Sequence, residues 1–297
     1  MAEEIPMAWD LTAEADSGGH TDNQSPLTLM PTMIALKDRL ADQYGYDRPL
    51  RVGAAGGIAS PVSALGAFSM GAAYIVTGSI NQSAVESGTS ELVRDMLAQT
   101  GQADVTMAPA GDMFELGVQV QVLKWGTMFA MRAARLYELY KHYDDLDGLP
   151  PAERRSLEKT CFRAPLEDIW DQTKAWFMDR DPSQVARAEQ DPKYRMALIF
   201  RWYLGQASGW ANQGDESRKI DFQIFCGPAM GAFNEWVRGS FLEAPHRRDV
   251  VTLALNLLFG AAVRYRLGLL ERQGVRMPHR SADVRPLEAS AIKEYLS

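Results

Sequence analysis

Three short β-like runs, each closed by a glycine-bearing loop and separated by a helical segment, constrain this chain more than any other feature of it. Trp9 to Ala15 alternates with period two: Trp9, Leu11, Ala13 and Ala15 fall on one face, Asp10, Thr12 and Glu14 on the other. It ends at residues 16–20, a loop with two glycines that closes on His20. Pro31 to Tyr44 then shows helical spacing through Met33, Leu36, Leu40 and Tyr44. Arg51 to Ala55 is the second run and stops at Gly56-Gly57. Ser60 before Pro61 reads as an N-cap and first helical residue, opening a helix to Met70 with Gly71 as its stop. Ala72 to Thr77 is the third run and stops at Gly78-Ser79. Strand, glycine loop, helix, strand is a βαβ pattern, which implies parallel strands with right-handed crossovers.

Beyond about residue 85 nearly every long segment is helical in pattern. Met131 to His142, Pro165 to Phe177, Gly231 to Phe241 and Arg248 to Leu270 read as helices. So does the stretch carrying Met196, Phe200, Tyr203, Ala207 and Trp210 at three-to-four spacing. The expected architecture is therefore α/β, three βα units of a parallel sheet followed by a mostly α-helical region. The expected divisions are 1–129, 130–275 and a loosely held tail at 276–297.

Composition serves mainly to exclude. Of 297 residues, 46% are hydrophobic and 23% charged, which argues against global disorder or a coiled coil. The net charge of −7, without a basic block, makes a duplex nucleic acid a poor partner. Cys161 and Cys226 are the only cysteines and make neither a disulfide framework nor a zinc quartet. The acidic N-terminus does not read as a secretory signal or transit peptide. The apolar run Val250 to Val263 is too short to span a bilayer and reads as a buried helix. The expected setting is soluble and cytoplasmic, with no membrane span.

Chemistry could reside in a few places. Glycine at a strand's carboxyl end lets backbone amides approach an anionic ligand, so AAGGI (54–58) and VTGSI (76–80) are candidate phosphate loops; ordinary βα turns are the plain alternative. His20 follows a strand and a Ser-Gly-Gly turn, where an imidazole can be held towards a cavity for proton transfer, although a surface histidine is the simpler reading of the residue alone. His142, His246 and His279 read as structural. GPAMGAFNEWVRG (227–239) holds no nucleophile with a base, and Ser240 does not sit in G-x-S-x-G. Trp202, Trp210 and Trp236 read as core, and Cys226 as a buried inert thiol. Arg132, Arg135 and Lys141 on one helix could meet an acidic carrier protein, a solvated face being the default.

Several stretches resemble the PfaD family, trans-acting enoyl reductases of polyunsaturated fatty acid and polyketide synthases, whose barrel is related to that of nitronate monooxygenases (2-nitropropane dioxygenases). They are EADSGGHTDN (14–23), RVGAAGGI (51–58), GAAYIVTGSINQ (71–82), the long motif at 89–129, RMALIFRWYLG (195–205) and CGPAMGAFNEWVRGSFLEAP (226–245). The resemblance implies an FMN-binding (β/α)8 TIM barrel with a region like the inserted helical domain of acyltransferases. It implies hydride transfer from NAD(P)H through FMN to a 2-enoyl thioester on an acyl carrier protein. By motif, Gly56, Gly57, Gly78 and Ser79 would hold the FMN phosphate. His20 would match the catalytic base of the nitronate-oxidising relatives, as a proton donor here or as a residue lining the flavin. Family members carry further strands before EADSGGH, so the chain aligns from about the sixth barrel strand. Three strands cannot close an eight-stranded barrel, which implies a separate N-terminal barrel half as partner, alongside carrier and synthase domains. Two alternatives stay open: a non-catalytic helical docking module for a synthase or carrier protein, and a nitronate monooxygenase-like flavin oxidase.

Overall fold

The structure, a computed structural model, describes residues 3, 4, 7–278, 281 and 283–296. The chain divides into two compact units, residues 1–105 with 225–297, and residues 106–224.

In the first unit, strand β1 (Asp10–Glu14) is followed by the two-residue strand β2 (Gly19–His20) and helix α1 (Pro26–Tyr44). Strand β3 (Arg51–Ala55), α2 (Pro61–Ser69), β4 (Ile75–Val76), α3 (Ser79–Gln82) and α4 (Glu91–Ala98) come next. Strands β1, β3 and β4 form a parallel sheet in that order, with Asp10 opposite Arg51, Glu14 opposite Ala55, and Ala55 opposite Val76. Parallel neighbours cannot be joined by a hairpin, so α1 and α2 are the crossovers. The mixed α/β architecture with a helical region is thus present; the sheet that β1 belongs to has three strands among the described residues.

Local chemistry accounts for the element ends. The Ser60 hydroxyl accepts from Ser63 N–H, and the Ser63 hydroxyl accepts from Ser60 N–H, closing a capping box in front of α2 with Pro61 as its first residue. Helix α1 starts five residues earlier than its apolar spacing indicates, because Ser25-Pro26 is a second cap-and-proline pair; Ser25 accepts from Leu27 N–H, and Pro31 lies inside the helix. The core is built largely of alanine: Ala13, Ala54, Ala64, Ala67, Ala72 and Ala261 surround Met30, Val52 and Ile58. Small side chains bring helices close to the sheet. Gly53 carries this furthest, since a Cβ there would lie 2.1 Å from the Tyr74 ring, whose hydroxyl bonds Thr12 across the same face at 2.9 Å.

The second unit begins at the second residue of β5 (Val105–Pro109), which neighbours β6 (Gln119–Leu123) in a small sheet. Helices α5 (Phe129–His142), α6 (Pro151–Leu157), α7 (Leu166–Arg180), α8 (Pro182–Gln190) and α9 (Pro192–Gln213) follow, α6 running on into a π-helical turn, Glu158–Phe162. Helix α9 is the axis of this unit. Met196 to Phe200, Tyr203, Leu204 and Ala207 are buried on nearly every side of it, among Phe114, Phe129, Phe162 and Leu136. An apolar face wider than a stripe marks a central helix rather than a surface one.

The chain returns to the first unit at Phe225, so α10 (Ala229–Val237) and α11 (Val250–Arg272) pack there and not among the helices of the second. Trp202 and Trp210 pack against the core of the second unit, whereas Trp236 lies in the first and donates its indole N–H to Val284 O at 2.9 Å. The expectation of a loose tail is corrected for its described part. Asn256 bonds Leu287 in both directions, and Ile292 of the last helix, α12 (Ala289–Leu296), is fully buried. Helix α11 also departs from expectation: it has 23 residues, is long and apolar enough to cross a membrane by length and composition, and is only partly buried.

Candidate functional site

A cavity of about 290 Å³ opens at the carboxyl ends of β1, β3 and β4. Gly56, Gly57, Gly78 and Ser79 all line it, with Thr12 and Glu14 from β1, Ser17 and Gly18 from the loop after it, and Ala229 from α10. Parallel strands bring their carboxyl ends to one edge, so the glycine loops that follow them converge.

The glycines are required by geometry. Gly56 has φ +81° and Gly57 φ +70°, a region that residues with a Cβ seldom occupy. A Cβ on Gly56 would also lie 2.6 Å from the Ala15 backbone, while one on Gly57 would meet nothing. Gly18 admits the 226–227 backbone, for a Cβ there would sit 2.8 Å from the nitrogens of Cys226 and Gly227. The N–H groups of Gly57 and Ile58 meet no acceptor among the described residues, although Ile58 is buried. Gly57 is exposed, so these N–H groups, taken by no described residue, can be offered to a ligand oxygen such as that of a phosphate ester. Just beyond them, Ala59 N–H and Ser60 N–H are already taken by the Ser63 hydroxyl.

Ser79 has a structural task beside the one its motif implies. Its Oγ accepts a hydrogen bond of 3.0 Å from Gly227 N–H, tying the GPAM segment to the loop after β4. The hydroxyl proton remains available to a ligand. That segment, which by sequence holds no catalytic pair, therefore contributes a wall through Ala229. The signal was Gly227-Pro228, but only its place beside Gly18 gives it a function. Glu14 is the one charged side chain lining the cavity among the described residues, and Ser17 Oγ donates to its Oε1 at 2.7 Å. An amide-rich end opposite a carboxylate suits a ligand with an anionic head and a body bearing hydroxyl or N–H groups.

His20 is exposed in β2 and is not among the residues lining the cavity. His142 bonds the Glu138 carbonyl on an exposed face, His246 lies in the 3₁₀ turn Pro245–Arg247, and His279 falls outside the described residues. Ser240 donates to Val237 O at 2.6 Å and caps the turn after it. Cys226 is buried, and burial pushes its thiol up to about 12, with Asp104 adding to the shift, so it is an inert packing residue. No cluster of metal-ligating side chains occurs among the described residues.

The basic residues expected on one helix divide. Arg132 turns inward to Asp221, which is wholly buried; Arg135 pairs with Glu153 and Lys141 with Glu138. Asp221 also accepts from Tyr203 Oη at 2.8 Å, Arg218 at 3.2 Å and Arg163 at 3.3 Å. Burial, then the Asp221 charge, raises the Tyr203 phenol far above its ordinary range. Unpaired cations lie elsewhere in this unit. Arg155 and Lys159, one helical turn apart on α6 and its π-helical extension, are exposed and have no ion-pair partner among the described residues.

Residues 143–222 match the family model described as the inserted helical domain of [acyl-carrier-protein] S-malonyltransferase. The matched segment falls inside the second unit. Over 278 residues the chain is 47% identical to a polyunsaturated fatty acid synthase polypeptide of Thraustochytrium sp., a match covering 91% of this chain and 14% of that protein. It is 48% identical over 259 residues to polyketide biosynthesis protein PksE of Bacillus subtilis, covering 87% of this chain and 33% of PksE. Among solved structures, the enoyl reductase domain of MlnA from the macrolactin cluster of Bacillus amyloliquefaciens superposes with a TM-score of 0.82 at 39% identity. That match covers 91% of this chain and 58% of the MlnA chain. The chain thus spans about a third or less of these two curated relatives and somewhat over half of the solved domain.

The family match overturns the assignment drawn from the sequence resemblance. It points to an acyl-carrier-protein transferase type of helical insert, in the company of polyketide and polyunsaturated fatty acid synthase proteins. The reading of the chain as a PfaD-type oxidoreductase, a flavoprotein passing hydride from NAD(P)H through FMN in a TIM barrel, is corrected accordingly, and the nitronate-oxidase alternative falls with it. The activity named for the MlnA domain is said of that protein. A separate N-terminal barrel half finds no support in these matches.

Proposed function

We propose that this chain is an acyl-carrier-protein-recognising part of a polyketide or polyunsaturated fatty acid synthase, its second unit serving as a helical insert of the malonyltransferase type. The observation that carries this is the coincidence of the matched segment, 143–222, with a helical unit that has its own core. Sequence kinship with the synthase proteins supports the setting. Arg155 and Lys159 supply the electrostatic element, since a carrier protein is acidic and unpaired surface cations steer such a partner. Malonyl transfer would need a nucleophile beside a base. Ser240 is engaged by its own turn, so the proposal concerns carrier recognition and not the transfer step.

The cavity in the first unit fits the same setting as a site for a phosphate monoester. The Gly57 and Ile58 amides, which no described residue takes, and the Ser79 hydroxyl would hold the phosphate, while Glu14 would accept a hydrogen bond from the body of the ligand. Free 4′-phosphopantetheine and a mononucleotide share that head group, whereas on a carrier the same phosphate is a diester.

Carrier binding, followed by fluorescence anisotropy with a labelled holo-carrier, tests the proposal. Arg155→Glu with Lys159→Glu should weaken binding roughly tenfold and flatten its salt dependence. Titration of the chain with 4′-phosphopantetheine and with FMN separates the two ester classes. Unchanged carrier affinity in the charge-reversed variant would remove the recognition surface. A protein purified with bound flavin that consumes NAD(P)H on an enoyl thioester would refute the transferase-type reading.

A further inference from the structure

Arg248 is wholly buried, yet it forms no ion pair among the described residues. Glu243 meets it through the carbonyl oxygen, at 3.2 Å, while the Glu243 carboxylate accepts from Gly239 N–H at 2.8 Å. Burial draws the guanidinium down to about 10, which still leaves it charged at neutral pH. A charge enclosed without a counter-ion is destabilising, and an apolar side chain of similar size would fill the same space more favourably. What an apolar side chain lacks is a planar fork of five donors.

The fork gathers three segments distant in sequence. Nη1 donates to Ser83 Oγ at 3.4 Å, just past α3, and Nη2 to Asn234 Oδ1 at 3.1 Å, within α10. Nε donates to Leu242 O at 2.8 Å in the 3₁₀ turn Phe241–Glu243. The partners are themselves fixed. Ser83 Oγ donates to Ile80 O at 2.7 Å, closing α3. The Asn234 amide nitrogen donates to Leu97 O and Thr100 O, both at 2.8 Å, at the end of α4. Asn234 thus fastens α10 to α4, and Arg248 extends that anchorage to α3.

Helices α3 and α10 matter because their first residues, Ser79 and Ala229, both line the cavity. There a single hydrogen bond, from Gly227 N–H to Ser79 Oγ, ties the two segments. Ser83 lies four residues beyond Ser79, and Asn234 five beyond Ala229. The Arg248 bridge therefore stands about 6–8 Å behind the cavity, from the rise of ~1.5 Å per residue. Two helices bridged at two levels cannot pivot about either. Without the rear bridge, α10 can swing on the Ser79 contact and carry Ala229 away from the wall.

We infer that Arg248 is a positioning residue of the cavity, holding α10 against α3 so that Ala229 and Ser79 keep the spacing a bound ligand requires. The inference rests on the reading of the cavity as a phosphate-ester site.

Arg248→Lys keeps the charge but offers one nitrogen, which cannot bridge Ser83, Asn234 and Leu242 together. In the full chain it should weaken binding of 4′-phosphopantetheine roughly tenfold in calorimetric titration, with FMN as the second probe. Amide exchange followed by mass spectrometry should rise roughly tenfold at Gly227 and stay unchanged in residues 106–224. Asp249→Ala, which removes the α11 cap from the next residue, controls for general destabilisation and should leave both readouts at their wild-type values. Ser83→Ala cuts the α3 arm alone and should move both readouts in the same direction, which decides the matter if Arg248→Lys does not fold. Either readout unchanged in the variant that folds overturns the inference, and so does an equal loss of affinity in Asp249→Ala. A wild type that binds neither ester refutes the reading of the cavity instead, and Gly227 exchange then decides by itself whether Arg248 holds the wall.

Discussion

Replacing Asp221 by Asn isolates the buried charge at the centre of the helical unit. The carboxylate is wholly buried and accepts from Tyr203, Arg132, Arg163 and Arg218. Asparagine keeps the shape and can still accept from Tyr203, so the loss is almost wholly one of charge. Arg163 is more than a third exposed, and its share is small because water screens it. Arg132 and Arg218 are 16% and 11% exposed, and would be left as neighbouring cations without their counter-ion. Removing one partner of a buried charged cluster costs about 3–5 kcal/mol, and the upper part of that range suits two enclosed arginines. For a unit of this size that corresponds to a fall of roughly 10–20 °C in unfolding temperature. Scanning calorimetry on the intact chain, with urea unfolding followed by tryptophan fluorescence, measures both quantities. Arg132→Met in the same background should recover part of the loss, because it removes one of the stranded cations. Tyr203→Phe, which loses one hydrogen bond to a charged group, should cost about 1.5–3 kcal/mol and serves if Asp221→Asn does not fold. A loss below about 1 kcal/mol for Asp221→Asn would refute the view that this carboxylate neutralises the cluster.

Other expectations are simpler. Gly56→Ala, which meets the Ala15 backbone at 2.6 Å, should cost clearly more stability than Gly57→Ala, which has open space and bears only the strain of φ +70°, about 1 kcal/mol; equal losses in urea unfolding would show that the first loop relaxes freely. Asp249 caps α11 by accepting from Thr252, and that hydrogen bond, with neighbouring backbone N–H groups, holds its carboxyl below the usual range. Asp249→Ala should therefore cost about 1 kcal/mol at neutral pH. A depressed carboxyl contributes its stability above its unfolded pKa and loses it as pH falls through the folded one, so the difference between wild type and variant should shrink from about pH 4 downwards. Cys226, pushed up to about 12 by burial, should resist iodoacetamide at pH 8 until the chain is unfolded, as mass spectrometry of the alkylated protein would record.

Much of the fold is written locally. The alternation of Trp9 to Ala15, the Ser60-Pro61 pair and the glycines after each strand needed only the period of the side chains, the geometry of a cap and the sterics of positive φ. The convergence of Gly56, Gly57, Gly78 and Ser79 followed as well, because parallel order sends every strand's carboxyl end to the same edge. The spacing along α9 likewise announced a core helix.

Contacts distant in sequence decided the rest. Nothing near Ser79 indicated that its hydroxyl accepts from Gly227, 148 residues away, or that Gly18 is small to admit the same segment. Arg132 looked like its neighbours Arg135 and Lys141, and only Asp221, 89 residues on, drew it inward. The run after Val250 read as buried because hydropathy records that a side chain avoids water, not which surface covers it. The packing of α11 on α2 and α12 left one stripe open. His20 stood in a plausible place along the chain, yet no local rule turns a loop histidine towards a cavity. Periodicity and sterics act within a few residues and so can be read from the sequence; the pairing of charges and the closing of walls depend on which segments meet, and the tertiary structure alone determines that.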